Sequence, residues 1–144
     1  MVDTPTMKLQ IVVADDNSSM LGALVSALSG EFDVIATASD GRSALDSIQR
    51  LRPGVAVLDL NMPGLNGIEI TREIARLHLE SSVVICSIED DPELIAAAQR
   101  AGALGYVIKS RVNGDLLMAV KWASSGQPFV SVSDHAEDGV VRLQ

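Results

Sequence analysis

Residues 55–67 read V-A-V-L-D-L-N-M-P-G-L-N-G. Four apolar residues, Val55, Ala56, Val57 and Leu58, run directly into a carboxylate, Asp59, and a turn rich in Pro and Gly comes next. A strand apolar on both faces suits the middle of a parallel sheet covered by helices on each side. Asp59 then stands at the carboxyl end of that strand, where open α/β sheets place their ligands. Asn61, Pro63 and Gly64 form the loop behind it, and the pattern is helical from Ile68 onward. Asp59 is thus read as a nucleophile that the rest of the chain serves.

Outward from this stretch, short apolar runs alternate with amphipathic segments. Leu9 to Ala14 reads as a first strand ending in Asp15 and Asp16, and Asn17 or Ser18 can cap a helix that stops at Gly30. Val34 to Ala38 is a second strand. Asp40 caps a helix with Ala44, Leu45, Ile48 and Leu51 on one face, ended by Pro53-Gly54. After the central strand, Asn66 with Glu69 three residues on forms a capping box. Val83 to Cys86 is a fourth strand, and Asp91 with Pro92 opens a helix that Gly102 closes. Gly105 to Ile108 is a fifth strand ending in Lys109, with Asn113 opening the last helix. Five βα units joined by right-handed crossovers predict a doubly wound parallel sheet.

Bulk properties bound the function. A chain of 144 residues, 47% hydrophobic, is enough for one domain with a single core. A formal charge of −8 argues against this chain gripping nucleic acid by itself. The single cysteine, Cys86, excludes an internal disulfide and fits a reducing cytosol; its apolar neighbours make it an inert buried thiol. The N-terminus is polar, and the next apolar run is far too short for a signal sequence or a membrane span, so a soluble, cytoplasmic protein without membrane contact is expected. His78 and His135 read as solvated surface residues, and Trp122 as packing or partner surface. After Gly126 the composition turns polar, as in a tail or linker.

Brought together, the strand ends supply Asp15 and Asp16, Asp59, Ser87 and Lys109. A lone Asp at a strand end is most often a cap or turn residue, but three carboxylates in one cleft repel one another unless a cation or protons intervene. Mg²⁺ suits such a cleft, because it favours a few carboxylates, waters and a phosphate oxygen over a full protein cage. Lys109 offers a point charge for Asp59 or for a phosphoryl group, and Ser87 a hydroxyl donor. These parts suit phosphoryl transfer onto a carboxylate.

The fragments V-V-A-D-D-N, V-L-D-L-N-M-P-G-L-N-G, V-I-C-S-I-E-D-D and G-A-L-G-Y-V-I-K, in this order, resemble the receiver domain of two-component response regulators. The resemblance covers residues 8–125, leaving an N-terminal extension at 1–7 and a tail or linker start at 126–144. It implies a flavodoxin-like (βα)5 fold with strand order 2-1-3-4-5. Asp59 would be the phospho-acceptor, fed by a histidine kinase, a phosphotransfer protein or a small acyl phosphate. Asp16 would ligate Mg²⁺ directly, Asp15 mostly through water, and Asn61 through its backbone carbonyl, with Asp59 completing the set. Lys109 would bind the phosphoryl group, while Ser87 swings toward it and Tyr106 changes rotamer to fill the vacated space.

Two positions differ from many receivers. Ile88 is bulky where Ala or Gly is common, and Ser110 comes after Lys109 where a cis-proline is common, which leaves the isomer of that bond open. The segment S-G-Q-P-F-V-S resembles the stretch just after the receiver in LuxR/NarL-type regulators, implying a transcriptional output domain absent from this chain, and the resemblance also admits a homodimer. Two other readings compete: a pseudo-receiver that binds partners without phosphorylation, and a haloacid-dehalogenase-like phosphohydrolase. The latter carries D-x-D on its first strand, whereas D-L-N lies here on the third and no cap domain is evident. A flavin-binding flavodoxin fits poorly, since no phosphate-cradling loop comes after the first strand.

Overall fold

In a computed structural model that describes residues 8–131, the chain runs β1 (Gln10–Ala14), α1 (Ser18–Ser29), β2 (Asp33–Ala38), α2 (Gly41–Leu51), β3 (Val55–Asp59), α3 (Gly67–Arg76), β4 (Ser82–Ser87), α4 (Pro92–Ala101), β5 (Gly105–Ile108), a short 3₁₀ turn (Lys109–Arg111), α5 (Val112–Ser124) and β6 (Phe129–Val130). All strand pairs are parallel, in the order β2-β1-β3-β4-β5-β6. The five strands expected from the sequence take their expected order. The sixth is an addition: Phe129–Val130, in the stretch read as tail, pairs with Gly105 and Tyr106. The extension at 1–7, His135 and the remainder of the tail lie outside the described residues.

Strand alternation divides the core in two. Ile11, Val13, Val55, Val57, Val84, Cys86 and Val107 pack against Leu24 and Leu28 of α1 and Leu116, Ala119, Val120 and Ala123 of α5. Val12, Ala14, Ala56, Leu58, Ile85, Tyr106 and Ile108 face the other way, onto α2, α3 and α4. Every residue of β3 is buried, as its apolar run demands. β1 is flanked by β2 on one side and β3 on the other, so the order reverses beside it. That switch point opens a crevice at the carboxyl ends of β1 and β3.

Helix starts obey their capping signals. The side chains of Asn17, Asp40 and Asp91 accept from Met20, Ser43 and Glu93 amides at 2.8–2.9 Å. Asn66 and Glu69 close a reciprocal box at 2.8 Å each way. Asn113 departs from expectation. It does not open α5, because the 3₁₀ turn already carries the chain into the helix at Val112, and no side chain caps that start. No peptide bond among the described residues is cis, so the Lys109–Ser110 bond is trans.

Candidate functional site

Asp15, Asp16 and Asp59 each place a carboxylate oxygen within 4.8 Å of the others, at the crevice the topology creates. Their environments differ. Asp15 is wholly buried and Asp59 nearly so, while Asp16 is exposed. The Lys109 ammonium lies between the two buried acids, 2.9 Å from Asp15 Oδ2 and 3.1 Å from Asp59 Oδ1. The sequence pairs Lys109 with Asp59 or a phosphoryl group; its contact with Asp15 is new. Lys109 is the first residue of the 3₁₀ turn after β5.

Backbone amides complete the frame. The Asn17 N–H donates to Asp15 Oδ1 at 2.9 Å, and the Asn61 N–H to Asp59 Oδ1 at 3.3 Å. Asn17 therefore caps α1 with its side chain and orients Asp15 with its main chain, a double role that its place after Asp-Asp did not reveal. Gly67 allows the closest approach. A Cβ there would lie 2.6 Å from the Asp59 carbonyl oxygen and 2.8 Å from Ile85 Cδ1, so only glycine lets α3 begin against the acid-bearing strand.

Burial and then the Asp15 charge raise the Asp59 pKa to about 6, against the pull of Lys109. Burial opposes the Lys109 charge too, but the contacts with Asp15 and Asp59 outweigh it and hold the ammonium above the ordinary lysine range. Burial and the neighbouring Asp15 thus disfavour a second negative charge here, which a bound cation would relieve. Asp15 Oδ2 has the Lys109 ammonium at 2.9 Å and no other partner among the described residues, so this buried oxygen keeps acceptor capacity. Hard oxygen donors, spare acceptor capacity on a buried carboxylate and an adjoining open cleft together fit a divalent cation of the Mg²⁺ type. The cleft, of about 390 Å³, is lined by Asp16, Asn61, Met62, Pro63, Asn66 and Glu69.

Ser87 and Tyr106 are both buried and meet at one loop. The Glu89 N–H donates to Ser87 Oγ at 2.9 Å, and the Tyr106 hydroxyl donates to the Glu89 carbonyl at 2.9 Å. Tyr106 thus lies inward in this conformation, and burial raises its phenol pKa. Glu89 links the two through backbone groups, which no side-chain motif announces. Ile88 beside them is 73% exposed, so its side chain stands off the site rather than filling it. On the Lys109 side it borders a shallow apolar patch of about 320 Å³ with Asn17, Ser19, Met20 and Ala23. A recess of about 300 Å³ around Leu9, Arg52 and Pro53 lies at the amino ends of the strands and takes no part in this chemistry. Cys86 is wholly buried, its thiol pushed up to about 12, and His78 is exposed; both agree with their bland readings.

Comparison with known proteins agrees with this geometry. The family model for the response regulator receiver domain matches residues 11–121. The chain is 32% identical over 125 residues to the transcriptional regulatory protein DegU of Brevibacillus brevis, covering 85% of this chain and 53% of that protein. It is 32% identical over 127 residues to the oxygen regulatory protein NreC of Staphylococcus aureus, covering 86% and 58%. The chain therefore spans somewhat more than half the length of these curated relatives. Among solved structures, the signal receiver domain of NarL from Mycobacterium tuberculosis superposes with a TM-score of 0.82 at 31% identity, covering 85% of this chain and 100% of that one. A LuxR-family two-component response regulator from Aurantimonas superposes at 0.80 and 27%, covering 85% and 89%. With its matched motifs, its sheet order and these relatives in agreement, the chain belongs to the response regulator receiver domains, and among them to those of LuxR/NarL-type regulators.

Proposed function

We propose that the chain is a phosphorylation-dependent switch in which Asp59 accepts a phosphoryl group in a Mg²⁺-dependent reaction. The observation that carries this reading is the cluster itself: three carboxylates within 4.8 Å, two of them bridged by one largely enclosed ammonium. Asp15, Asp16, Asp59 and the Asn61 carbonyl would hold the ion, which supplies positive charge to the carboxylates and to a phosphoryl oxygen.

The remaining steps belong to the protein. A carboxylate oxygen of Asp59 attacks the phosphorus of a phosphohistidine or a small acyl phosphate. The new P–O bond forms as the bond to imidazole or to the donor's carboxylate breaks, and that leaving group departs with the electron pair. Lys109, already within contact of Asp59, keeps its proton and turns its ammonium to pair with a phosphoryl oxygen, and the Asn61 amide keeps the nucleophile oriented. Water later cleaves the acyl phosphate, returning Asp59 and inorganic phosphate, so the only chemistry is self-phosphorylation and slow self-dephosphorylation. Ser87 is the donor that turns toward the bound group. Its departure loosens the Glu89 amide, and the Tyr106–Glu89 bond redistributes with it. This is a population shift driven by local charge.

The phosphodonor is a histidine kinase or phosphotransfer protein. Because the match covers only 53% of DegU and 58% of NreC, the switch acts on transcription through a further domain. The chain itself binds no nucleic acid, consistent with its charge of −8. Among the described residues, no helix is long and apolar enough to cross a membrane, and a cytoplasmic location goes with the reading as a kinase partner.

Incubation with acetyl phosphate and Mg²⁺, then intact mass measurement, tests the proposal. The wild-type chain should gain one phosphoryl group, whereas Asp59→Asn and an EDTA-treated sample should gain none. An unmodified wild type under all donors would favour the pseudo-receiver. Steady turnover of phosphate monoesters would favour the phosphohydrolase.

A further inference from the structure

Ser131 lies at the end of the described chain, far in sequence from the acid cluster, yet its side chain brackets the turn that carries Lys109. Its amide donates to the Tyr106 carbonyl at 2.9 Å, as the next rung of the β5–β6 ladder. A further rung of a parallel ladder would take the Ile108 N–H to a main-chain carbonyl of β6. Here the acceptor is Ser131 Oγ instead, at 3.1 Å. The same hydroxyl donates to Asp115 Oδ2 at 2.7 Å, and Arg111 reaches that oxygen at 3.2 Å.

Ile108 is the last residue of β5, Lys109 to Arg111 are the 3₁₀ turn, and Asp115 sits in the first turn of α5. One serine hydroxyl therefore joins both ends of the turn bearing the phosphoryl-binding lysine. Ser131 is 4% exposed and Ile108 7%, so water cannot readily replace either bond. β5 is only four residues long, and β6 is its outer neighbour. Without the hydroxyl, the outer edge of β5 would lose its last tie immediately before Lys109.

We infer that Ser131 is a positioning residue for Lys109. Granted the phospho-acceptor role of Asp59 on which this rests, it sets how well the site receives a phosphoryl group. Binding free energies are linked reciprocally, so filling the site must also tighten the Ser131 bonds. The two-residue strand β6 is thereby the mechanical tie between the acid cluster and the chain beyond the receiver.

The test compares the wild-type chain, Ser131→Ala and Ser131→Thr in acetyl phosphate phosphorylation and in beryllofluoride titration with Mg²⁺. Amide exchange at Ile108 is measured with and without beryllofluoride. Ser131→Ala should lose about tenfold in phosphorylation rate and in beryllofluoride affinity, as displaced binding groups do. Ser131→Thr, which keeps the hydroxyl, should recover most of both. Beryllofluoride should slow Ile108 exchange in wild type and in Ser131→Thr but not in Ser131→Ala. A Ser131→Ala protein within twofold of wild type in rate and affinity overturns the role. So does equal impairment of Ser131→Ala and Ser131→Thr, which would mean packing alone. If Ser131→Ala fails to fold, Ser131→Cys, a weaker hydrogen-bonding group of similar size, should show the same losses in smaller measure; wild-type behaviour there overturns the role too. A wild type that takes up neither phosphoryl group nor beryllofluoride would sink the reading of Asp59 instead, and is recognisable because all variants then fail alike.

Discussion

Lys109 neutralises two acids at once, and the cost of removing it exceeds the worth of either contact. Asp15 is wholly buried, and Lys109 is the cation that pairs with it among the described residues, so without Lys109 its charge would be stranded. Lys109→Met, similar in length and uncharged, should therefore destabilise the metal-free protein at pH 8 by about 2–3 kcal/mol in urea unfolding. Millimolar Mg²⁺ should restore much of that, since a cation bound only by the folded state adds stability by mass action. An unchanged urea midpoint would show that the pair contributes little. Cys86 offers the opposite kind of test. With its thiol pushed up to about 12 and no exposed surface, it should stay unreactive toward Ellman's reagent at pH 8 and label fully only in denaturant. Fast labelling of the native protein would show that β4 opens near Ser87.

At the scale of elements, α3 must begin where β3 ends, and Gly67 is what makes room. Gly67→Ala pushes a methyl group to 2.6 Å from the Asp59 carbonyl, a main-chain atom that cannot step aside cheaply. The variant should lose about 2 kcal/mol or more of stability, because overpacking here strains backbone rather than a side chain. It should also phosphorylate more slowly, since the strain falls on the residue that carries the chemistry; a wild-type melting point would refute the close approach. The same element shows what a sequence discloses. Asn66 and Glu69, or Asp91 and Pro92, announce helix starts because a cap is a local arrangement among residues at most three apart. The order of the five strands came from the resemblance to receiver domains, but the strands themselves were equally legible as apolar runs of a parallel sheet. β6 was not, because Phe129–Val130 are too few to show a period and become a strand only through β5. Nor was the 3₁₀ turn, which carries the chain into α5 at Val112 rather than at Asn113. Within the site, the acids and the lysine were readable as residue types at strand ends. The backbone ties through Asn17 and Glu89 and the hydroxyl of Ser131 were not, because they depend on where separate segments come to rest.

For the molecule as a whole, the cluster opposes folding when it is charged and empty. Asp59 has a folded pKa of about 6 against an ordinary 3.8, so the folded state holds its proton more tightly than the unfolded chain does. The stability from this group is fully present below pH 4, is lost as pH rises toward 6, and leaves the folded state carrying the whole penalty above that. A shift of this size corresponds to roughly 2–3 kcal/mol at neutral pH, with solvent access to the cleft keeping it toward the lower end. Other carboxylates act in the contrary sense. Asp40, bound by the Ser43 amide, and Glu73, bound by Arg76, are held below their usual range and lose their contribution as pH falls. The raw pH profile therefore mixes both signs, and the difference between wild type and Asp59→Asn isolates the site. In EDTA, Asp59→Asn should be the more stable protein at pH 8 by about 2 kcal/mol, with the gap closing as pH falls from 6 toward 4 and nearly gone by about pH 3.5. In Mg²⁺ the order should reverse at pH 8, because the ion binds the ionised acid and Asp59→Asn lacks that ligand. A gap in EDTA that stays flat from pH 3.5 to 8 would mean that Asp59 titrates like a surface acid, and that Lys109 alone already balances the cluster.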